Sequence, residues 1–543
     1  MNALLLVSAL FLAEPAAHDH QHQLEKLGKV NFQTSCSPQA HATFTRGLTL
    51  LHSFEYPQAE AAFNEAATTD PSCSIARWGV AMSLYHPLWA PPSKTELERA
   101  HAALAKAEAM PAKTERERDY VAAVAAFYRD SEKLDHKTRA LAYNAAMAAL
   151  HKRYPADREA SIFYALSQVA AGTQDNDPNF SREKEAAAIL NAVLKEEPDH
   201  PGVAHYLIHN FDYPPLAELA VPAAQRYATI APDSPHAQHM PSHIFTRLGM
   251  WEESIASNLR SEAAARALMK SEGFDGGSNE QLHAMDYLAY AYLQRGQEAE
   301  AQRVLADLNK MQKVNLPIFT VAYAATAVPV RIALENRRWK EAASLKLPDN
   351  VAGLVPLDTF QWAEAHVVFA RAVGAARGGD AALARAEIGK LKAIEDALVV
   401  PPGTYDWRKQ VTIERQVAEA WLASAEGKKD EAVKLMTAAA DLDDATEKHP
   451  VTPGAILPAR EQLGEVLLEQ GRGSEALAAY EASLKRAPRR LVSLYGAARA
   501  AKLAGDGTKA GRYYAELAEM TKASDGTRAE IKEAREAAKL AVR

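Results

Sequence analysis

Two short stretches of the chain place histidines at spacings suited to binding a metal ion. The stretch "HPGVAHYLIHNFD" contains His205 and His209, and "HAQHMPSHIF" contains His236, His239 and His243. Residues four apart share one face of a helix, so His205 pairs with His209 and His239 pairs with His243. Imidazole nitrogens bind zinc, copper, nickel and iron, with Zn–N distances of roughly 2.0–2.1 Å. The stretches therefore predict a divalent transition-metal site, provided that neighbouring helices bring them together.

A repeating pattern along the chain supplies such helices. Near the carboxyl end, glycine, alanine and tyrosine recur at a fixed interval, first as Gly471, Ala476 and Tyr480 and then as Gly505, Ala510 and Tyr514. The pattern resembles the tetratricopeptide repeat (TPR), a helix-turn-helix unit of about 34 residues. The resemblance implies an all-α fold, a right-handed superhelical solenoid of TPR-like repeats stacked on their neighbours.

Composition and length agree with a helical array. The 543 residues are too many for one ordinary core, and only 7% of them are aromatic, whereas good helix formers dominate. The 62 basic and 69 acidic residues are scattered along the chain. A nucleic-acid partner usually requires a clustered basic face, so we expect none. The expected divisions are a signal peptide (1–17), a flexible histidine-containing segment (18–38), TPR-like repeats with a histidine-rich groove (39–310), degenerate helical repeats (311–445) and carboxyl-terminal TPR repeats (446–543).

The repeat also aligns the histidines with one another. His239 and His243 follow His205 and His209 by the same interval, one full repeat. In TPR proteins, which this chain resembles, the corresponding positions of the first helix line the concave groove. We therefore expect one metal site whose ligands are drawn from His205, His209, His236, His239, His243, His283, Asp212 and Asp286, with Tyr290 as a further groove residue.

Pro241 decides whether this alignment holds. Ser234 and Pro235 form a good N-cap and first helical residue, which predicts a helix that begins there and is kinked at Pro241. If the helix instead begins at Pro241, His236 and His239 lie on a loop.

A second patch is predicted near the amino end. His52 and His86 are also one repeat apart, and Trp78 lies between them. These residues are suited to gripping a peptide or a ring-bearing ligand, although aromatic residues at helical spacing are equally typical of a core. We expect this patch to be separate from the central histidines.

The amino terminus indicates export. An apolar run from Ala3 to Ala13 followed by small residues is typical of a secretory signal peptide, which predicts a periplasmic or secreted protein. No later segment is long and apolar enough to span a membrane. In an oxidising compartment Cys36 and Cys73 form a disulfide or remain two unpaired thiols; the sequence leaves both open.

Three functions follow from these patterns. The segments "HPGVAHYLIHNFD", "HAQHMPSHIFTRLGMW" and "HPVTPGAILPARE" are similar to those of a group of exported bacterial TPR proteins, which implies the fold and export but no reaction. The leading hypothesis is an exported TPR binding protein that takes a protein or peptide partner and holds zinc, copper, iron or nickel in its groove. The alternatives are a metal-dependent enzyme that activates water, with Asp286 as base, and a metal-free interaction scaffold.

Overall fold

The chain folds into an all-α helical repeat. The computed structural model describes residues 25–88, 91–173, 177–401, 404–526 and 528–541, so the predicted signal peptide lies outside the described residues. The first helices are α1 (Pro38–His52), α2 (Tyr56–Thr69), α3 (Ile75–Ser83), α4 (Lys94–Ala109), α5 (Glu115–Tyr128), α6 (His136–Arg153), α7 (Arg158–Gly172), α8 (Ser181–Glu196), α9 (Pro201–Asn210) and α10 (Val221–Ile230). The central ones are α11 (Pro235–His239), α12 (Pro241–Arg247), α13 (Trp251–Ser271), α14 (Asn279–Gln294), α15 (Glu298–Lys310), α16 (Phe319–Glu335), α17 (Trp339–Ala343) and α18 (Val351–Leu354). The last are α19 (Gln361–Gly378), α20 (Ala381–Ala397), α21 (Trp407–Ala425), α22 (Lys429–Asp444), α23 (Ala459–Glu469), α24 (Gly473–Arg486), α25 (Leu491–Leu503), α26 (Gly507–Met520) and α27 (Ala529–Ala541). Short 3₁₀ helices cover Ala217–Ala220 and Leu357–Phe360.

Glycines in the left-handed region close the turns within several helical hairpins. Gly249 and Gly296 each have a φ of 66°, while φ is 76° at Gly471 and 82° at Gly505. Side chains with a Cβ rarely adopt this conformation, so glycine ends one helix and lets the next one fold back. The turn positions that the repeat pattern predicts are therefore confirmed.

Close helix crossings explain other glycines of the repeat. A Cβ on Gly496 would lie 2.1 Å from the ring of Tyr480, and one on Gly79 would lie 2.3 Å from the ring of Phe63. Each pair joins the second helix of one hairpin to the first helix of the next. The large ring therefore fills the space that the missing side chain leaves, which is how neighbouring repeats stack.

The amino-terminal repeats close on themselves around their inner side. The Nδ1 atom of His205 in α9 lies 2.7 Å from the carbonyl oxygen of His52 at the end of α1. Nearby, the hydroxyl of Tyr227 donates to Ser53 Oγ over 3.2 Å. This corrects the expectation of a histidine-lined groove, because the histidines predicted to line it are enclosed, His205 and His239 completely, except for the half-buried His209.

Residues 25–37 also pack on the inner side of the first repeats. Phe32 is buried, with its ring centroid 5.8 Å from that of Trp78 and 5.0 Å from that of Tyr120. This part of the predicted flexible segment 18–38 is therefore held by an aromatic anchor.

The two cysteines of the chain are joined. Cys36 and Cys73 form a disulfide with a Cα–Cα distance of 4.7 Å. Of the two possibilities that the sequence allows, the structure contains the bridge, which ties the segment before α1 to the turn between α2 and α3.

Within the described residues, no helix combines the length and the apolar character needed to cross a bilayer.

Candidate metal centre

The helix that carries three of the histidines begins at Pro235 and is interrupted at Pro241. Ser234 caps it, because its Oγ accepts the backbone N–H of Ala237 over 3.0 Å. Met240 keeps helical angles (φ −51°, ψ −37°), so the chain continues helically from α11 into α12. The predicted kinked helix is confirmed, and it keeps the histidines of α11 and α12 on one continuous path.

The first histidine trio comprises His205, His209 and His236. The Nε2 atom of His205 lies 3.1 Å from Nε2 of His209 and 3.1 Å from Nε2 of His236. His205 and His236 are buried, whereas His209 is half-buried. The kinked helix and α9 thus direct three imidazole nitrogens at one point.

The second trio comprises His239, His243 and His283. The Nε2 atoms of His239 and His243 are 3.0 Å apart, and the ring centroid of His283 lies 4.0 Å from that of His239. All three side chains are buried, and each has a ligand atom within 4.8 Å of the others. The helix α14 therefore brings a third imidazole, that of the predicted residue His283, to a group that could hold a metal ion.

The position of the ring proton is set by what each Nδ1 atom faces. In the first trio, Nδ1 of His205 faces the carbonyl oxygen of His52, and Nδ1 of His236 lies 3.5 Å from the carboxylate of Glu280. A backbone carbonyl only accepts, so the neutral imidazole of His205 carries its proton on Nδ1. The Nε2 atom of His205 then presents its lone pair to the interior of the trio.

The second trio repeats this arrangement. Nδ1 of His239 lies 2.6 Å from Oδ1 of Asn258, and Nδ1 of His243 lies 3.1 Å from Oδ2 of Asp212. The amide of Asn258 is oriented by its own Nδ2, which donates to the carbonyl of Ser254 over 2.8 Å. Metal-binding histidines commonly donate their other ring N–H to a carboxylate or carbonyl, which fixes the tautomer.

Burial keeps these imidazoles neutral. It lowers the pKa of His205 and of His239 well below the ordinary value, and neighbouring imidazoles lower each pKa further. Burial likewise lowers the pKa of His243, against the opposing effect of Asp212. The uncharged form is the one that binds metal ions.

Asp212 contacts the second trio on the Nδ1 side of His243. Besides His243, it contacts Arg247 at 2.7 Å and Lys448 at 3.1 Å. Burial alone would raise the pKa of Asp212, but Lys448 and Arg247 hold it well below the ordinary range. Asp212, which was predicted as a metal ligand, therefore accepts from the ring N–H of His243 instead, and its carboxylate is flanked by two cations.

Asp286 differs from its predicted position beside the metal. Its Oδ1 atom lies 3.7 Å from Nε of Arg331, a buried cation, and burial raises its pKa to about 6. The neighbouring Tyr287 packs on the trio instead, with its ring centroid 4.8 Å from that of His239. Adjacent residues on a helix point in different directions, so Tyr287 faces the histidines and Asp286 faces away from them. The prediction of Asp286 as a metal ligand and as a base is therefore wrong.

His52 belongs to a third group that sequence reasoning did not assemble. Its Nε2 lies 2.9 Å from one oxygen of Glu159, and Nε2 of His200 lies 3.0 Å from the other oxygen. Nδ1 of His52 faces the hydroxyl of Tyr206 at 2.9 Å. Each carboxylate oxygen thus contacts one imidazole nitrogen, and the three residues form a buried polar group that could itself hold a metal ion. Through its carbonyl oxygen, His52 also touches His205, which corrects the expected separation of the two patches.

The other two members of the predicted amino-terminal patch lie elsewhere. Trp78 is fully buried in the aromatic core, 5.3 Å from Phe163 between ring centroids, so it is corrected as a residue of an open binding surface. His86 packs edge-on against Tyr56 at 4.7 Å, and its Nε2 is 3.8 Å from a carboxylate oxygen of Glu96.

A cavity adjoins the centre on the Asp212 side. Tyr290, the predicted groove residue, forms part of its wall together with Arg247 and Lys448. Arg247 and Lys448 both contact Asp212, which in turn accepts from His243. One chain of polar contacts therefore connects the cavity wall with the second trio. The segment "HPVTPGAILP" lines the same cavity.

Sequence reasoning missed the residues that orient the histidines. Asn258 accepts from His239, the carboxylate of Glu280 lies 3.5 Å from Nδ1 of His236, and Glu159 and His200 complete the third group. These residues lie on α13, α14 and α7 and at the start of α9, at no fixed spacing from the histidines that they contact. Only the spacing of the histidines indicated a site in the sequence. A residue that contacts a histidine from another repeat leaves no periodic pattern in the sequence.

Among known proteins, the chain is similar to solved structures of helical-repeat proteins. No protein-family model matches the chain. No curated protein matches it either. Among solved structures, the chain is similar to a human IFIT1 dimer with m7Gppp-AAAA at 13% identity, with a TM-score of 0.36 and coverage of 82% of this chain and 90% of that one. It is also similar to yeast Tom70 (11% identity, TM-score 0.31, 93% and 96% covered) and to the TPR domain of P58(IPK) (14% identity, TM-score 0.20, 71% and 99% covered).

Proposed function

We propose that this chain is an exported helical-repeat protein that binds divalent transition-metal ions in its buried histidine centre. The observation that carries the proposal is the convergence of imidazole lone pairs. His239 and His243 each give their Nδ1 proton to an acceptor outside the trio, and their Nε2 atoms still lie 3.0 Å apart. Two lone pairs at this distance repel each other, and a cation between them turns the repulsion into two bonds.

The spacing of the nitrogens suits such an ion. A tetrahedral centre with Zn–N bonds of 2.0–2.1 Å places its ligand nitrogens about 3.3 Å apart. The Nε2–Nε2 distances of 3.0 and 3.1 Å in the two trios are close to this value. The centre is therefore close to the geometry that a metal ion requires.

The donor set defines the class of metal. Both trios consist of imidazoles, and the only two cysteines of the chain are joined in a disulfide. Imidazole favours zinc, copper, nickel and iron over magnesium and calcium, which prefer oxygen ligands. The disulfide also supports export, since such bridges persist in oxidising compartments.

We also propose that the chain binds a protein or peptide partner, because it resembles TPR proteins. Residues 25–37 already pack on the inner side of the first repeats, where Phe32 is buried against Trp78. A partner of these repeats is therefore expected on their outer helices.

A metal-dependent enzyme is the second candidate. Each trio offers three protein ligands, and catalytic sites commonly keep a fourth position for water or substrate. The cavity lined by Arg247 and Lys448 is connected to the second trio through Asp212.

Metal analysis of the purified chain tests the proposal. We expect bound transition metal in the wild type and a loss of metal in the double variant His209→Ala, His243→Ala. The matched control is His101→Ala, because His101 is exposed and its Nε2 contacts the hydroxyl of Ser131. Wild-type protein that binds no zinc, copper, nickel or iron after supplementation contradicts the proposal.

A further inference from the structure

We infer that the centre holds two metal ions, one in each trio, which share a single small exogenous ligand such as hydroxide or azide. This inference rests on the proposed function and adds the number of ions, their coupling and the class of ligand that joins them.

The two trios form one continuous array of rings. Within the first trio, the ring centroids of His209 and His236 are 6.4 Å apart. Between the trios, His209 and His243 are 6.1 Å apart and His236 and His239 are 6.4 Å apart. The other ring pairs within a trio are 4.0–5.9 Å apart, so the spacing between the trios is only slightly longer than the spacing inside them. Ions bound to the two sets are therefore immediate neighbours.

The kinked helix places its ligands on both sides of this array. His236 on α11 belongs to the first trio, whereas His239 on α11 and His243 on α12 belong to the second. Residues three apart on a helix have Cβ atoms about 5–6 Å apart. The kinked helix therefore contributes ligands to both ions. We expect the two ions to lie on the order of 4 Å apart, as in other two-metal sites.

A bridging ligand has to come from outside the protein. Two carboxylates lie beside the array: Asp212 accepts from His243 and pairs with Arg247, whereas Glu280 accepts from Asn279 and lies 3.5 Å from Nδ1 of His236. Each of them meets the Nδ1 side of its histidine, away from the converging Nε2 atoms. Three imidazoles per ion leave room for one more ligand, which two adjacent ions can share.

The surroundings restrict that ligand to a small molecule. Five of the six rings are buried, and only His209 is half-buried. The Tyr287 ring covers the second trio, 5.1 Å from His243 between centroids. A small anion reaches the ions past His209, whereas a bulky substrate does not.

Copper(II) loading with azide as the probe tests the inference. We expect two copper ions per chain by elemental analysis. We also expect the loss of most of the electron paramagnetic resonance signal on adding azide, because two copper(II) ions that share a bridging ligand couple their unpaired electrons. The variant His283→Ala removes one ligand of the second trio, so we expect its remaining bound copper(II) to keep a full signal in azide. His101→Ala is the control and behaves as the wild type.

The outcomes separate the inference from the proposed function. Two copper ions per chain with a full signal in azide, or one copper ion per chain, overturns the paired centre and leaves metal binding intact. Wild-type protein that binds no metal overturns both. If His283→Ala fails to fold, the copper stoichiometry and the azide titration of the wild type decide the inference by themselves.

Discussion

At the scale of single residues, the placement of one ring proton separates the two kinds of histidine in this protein. His52 directs Nε2 at Glu159, so its proton serves a hydrogen-bond network. His239 and His243 direct Nδ1 at Asn258 and Asp212, which leaves Nε2 for an ion. The partner of the far ring nitrogen therefore determines which nitrogen of a buried histidine is left to face an ion.

Asn258 provides a test at this scale. Asn258→Leu keeps the approximate volume and removes the acceptor of His239 Nδ1–H, so we expect metal affinity to fall by about 10- to 100-fold. Asn258→Asp retains an acceptor and restores most of the affinity. Competition with a chromophoric chelator measures both.

The matched control for Asn258 lies on the same helix. Ser261 is buried in α13 and donates to the carbonyl of Pro235 over 2.8 Å, without a bond to a ring of the trios. Ser261→Ala is expected to leave the metal affinity unchanged. Equal affinity losses in Asn258→Leu and Ser261→Ala would show that α13 acts only through packing.

At the scale of elements, a divided helix and a non-helical segment shape the inner side of the solenoid. Pro241 lacks a backbone N–H, and the helix is divided there into α11 and α12 while its three histidines stay close together. Residues 25–37 are not helical, and they pack against the first repeats through Phe32.

Phe32 is predicted to anchor this segment. Phe32→Ala removes a buried ring that packs on Trp78 and Tyr120 and lies 4.2 Å below the guanidinium of Arg116. We expect the free energy of unfolding to fall by about 3–5 kcal/mol, measured by urea denaturation. The exposed neighbour supplies the control, since Gln33→Ala is expected to change it by less than about 0.5 kcal/mol. Similar small effects for both variants would mean that the segment contributes no packing.

At the scale of the whole molecule, distant repeats are joined by buried polar contacts. Arg490, at the start of α25, donates to Tyr290 of α14 over 2.8 Å and pairs with Glu335 of α16 at 2.7 Å and Glu461 of α23 at 3.0 Å. Arg490 and both carboxylates are fully enclosed. Helices far apart in the sequence are thus fixed around one cation.

Arg490 is therefore expected to have a large effect on stability. Arg490→Met leaves Glu335 and Glu461 buried without their cation, which costs about 3–5 kcal/mol of unfolding free energy. The control is Arg472→Met, because Arg472 forms a surface pair with Glu475, and such pairs contribute about 0–1 kcal/mol. Chemical denaturation of the two variants makes the comparison, and equal shifts would contradict a role for the buried cation. Adding Glu335→Gln and Glu461→Gln to Arg490→Met should recover part of the loss, since it removes the stranded charges.

The sequence by itself determined the repeat and the histidines that belong together. Its regular period predicts helical hairpins with glycine turns, which Gly249 and Gly471 confirm through their positive φ. The four-residue spacing correctly paired His205 with His209 and His239 with His243, and Ser234 with Pro235 correctly marked the start of the kinked helix. These features are local or periodic, so they can be read along one chain. The structure divides between two trios the histidines that the period predicted around one ion.

Only the tertiary structure decided how the solenoid closes and which polar groups meet inside it. Trp78 enters the core because the aromatic ring of Phe32 packs onto it, and Asp286 turns to Arg331 because of its angular position on α14. The acceptor Asn258 and the carboxylate of Glu280 reach the histidines across repeats. Such contacts depend on how much each repeat rotates relative to the previous one. That rotation is the sum of many small packing choices, and no spacing in the sequence encodes it.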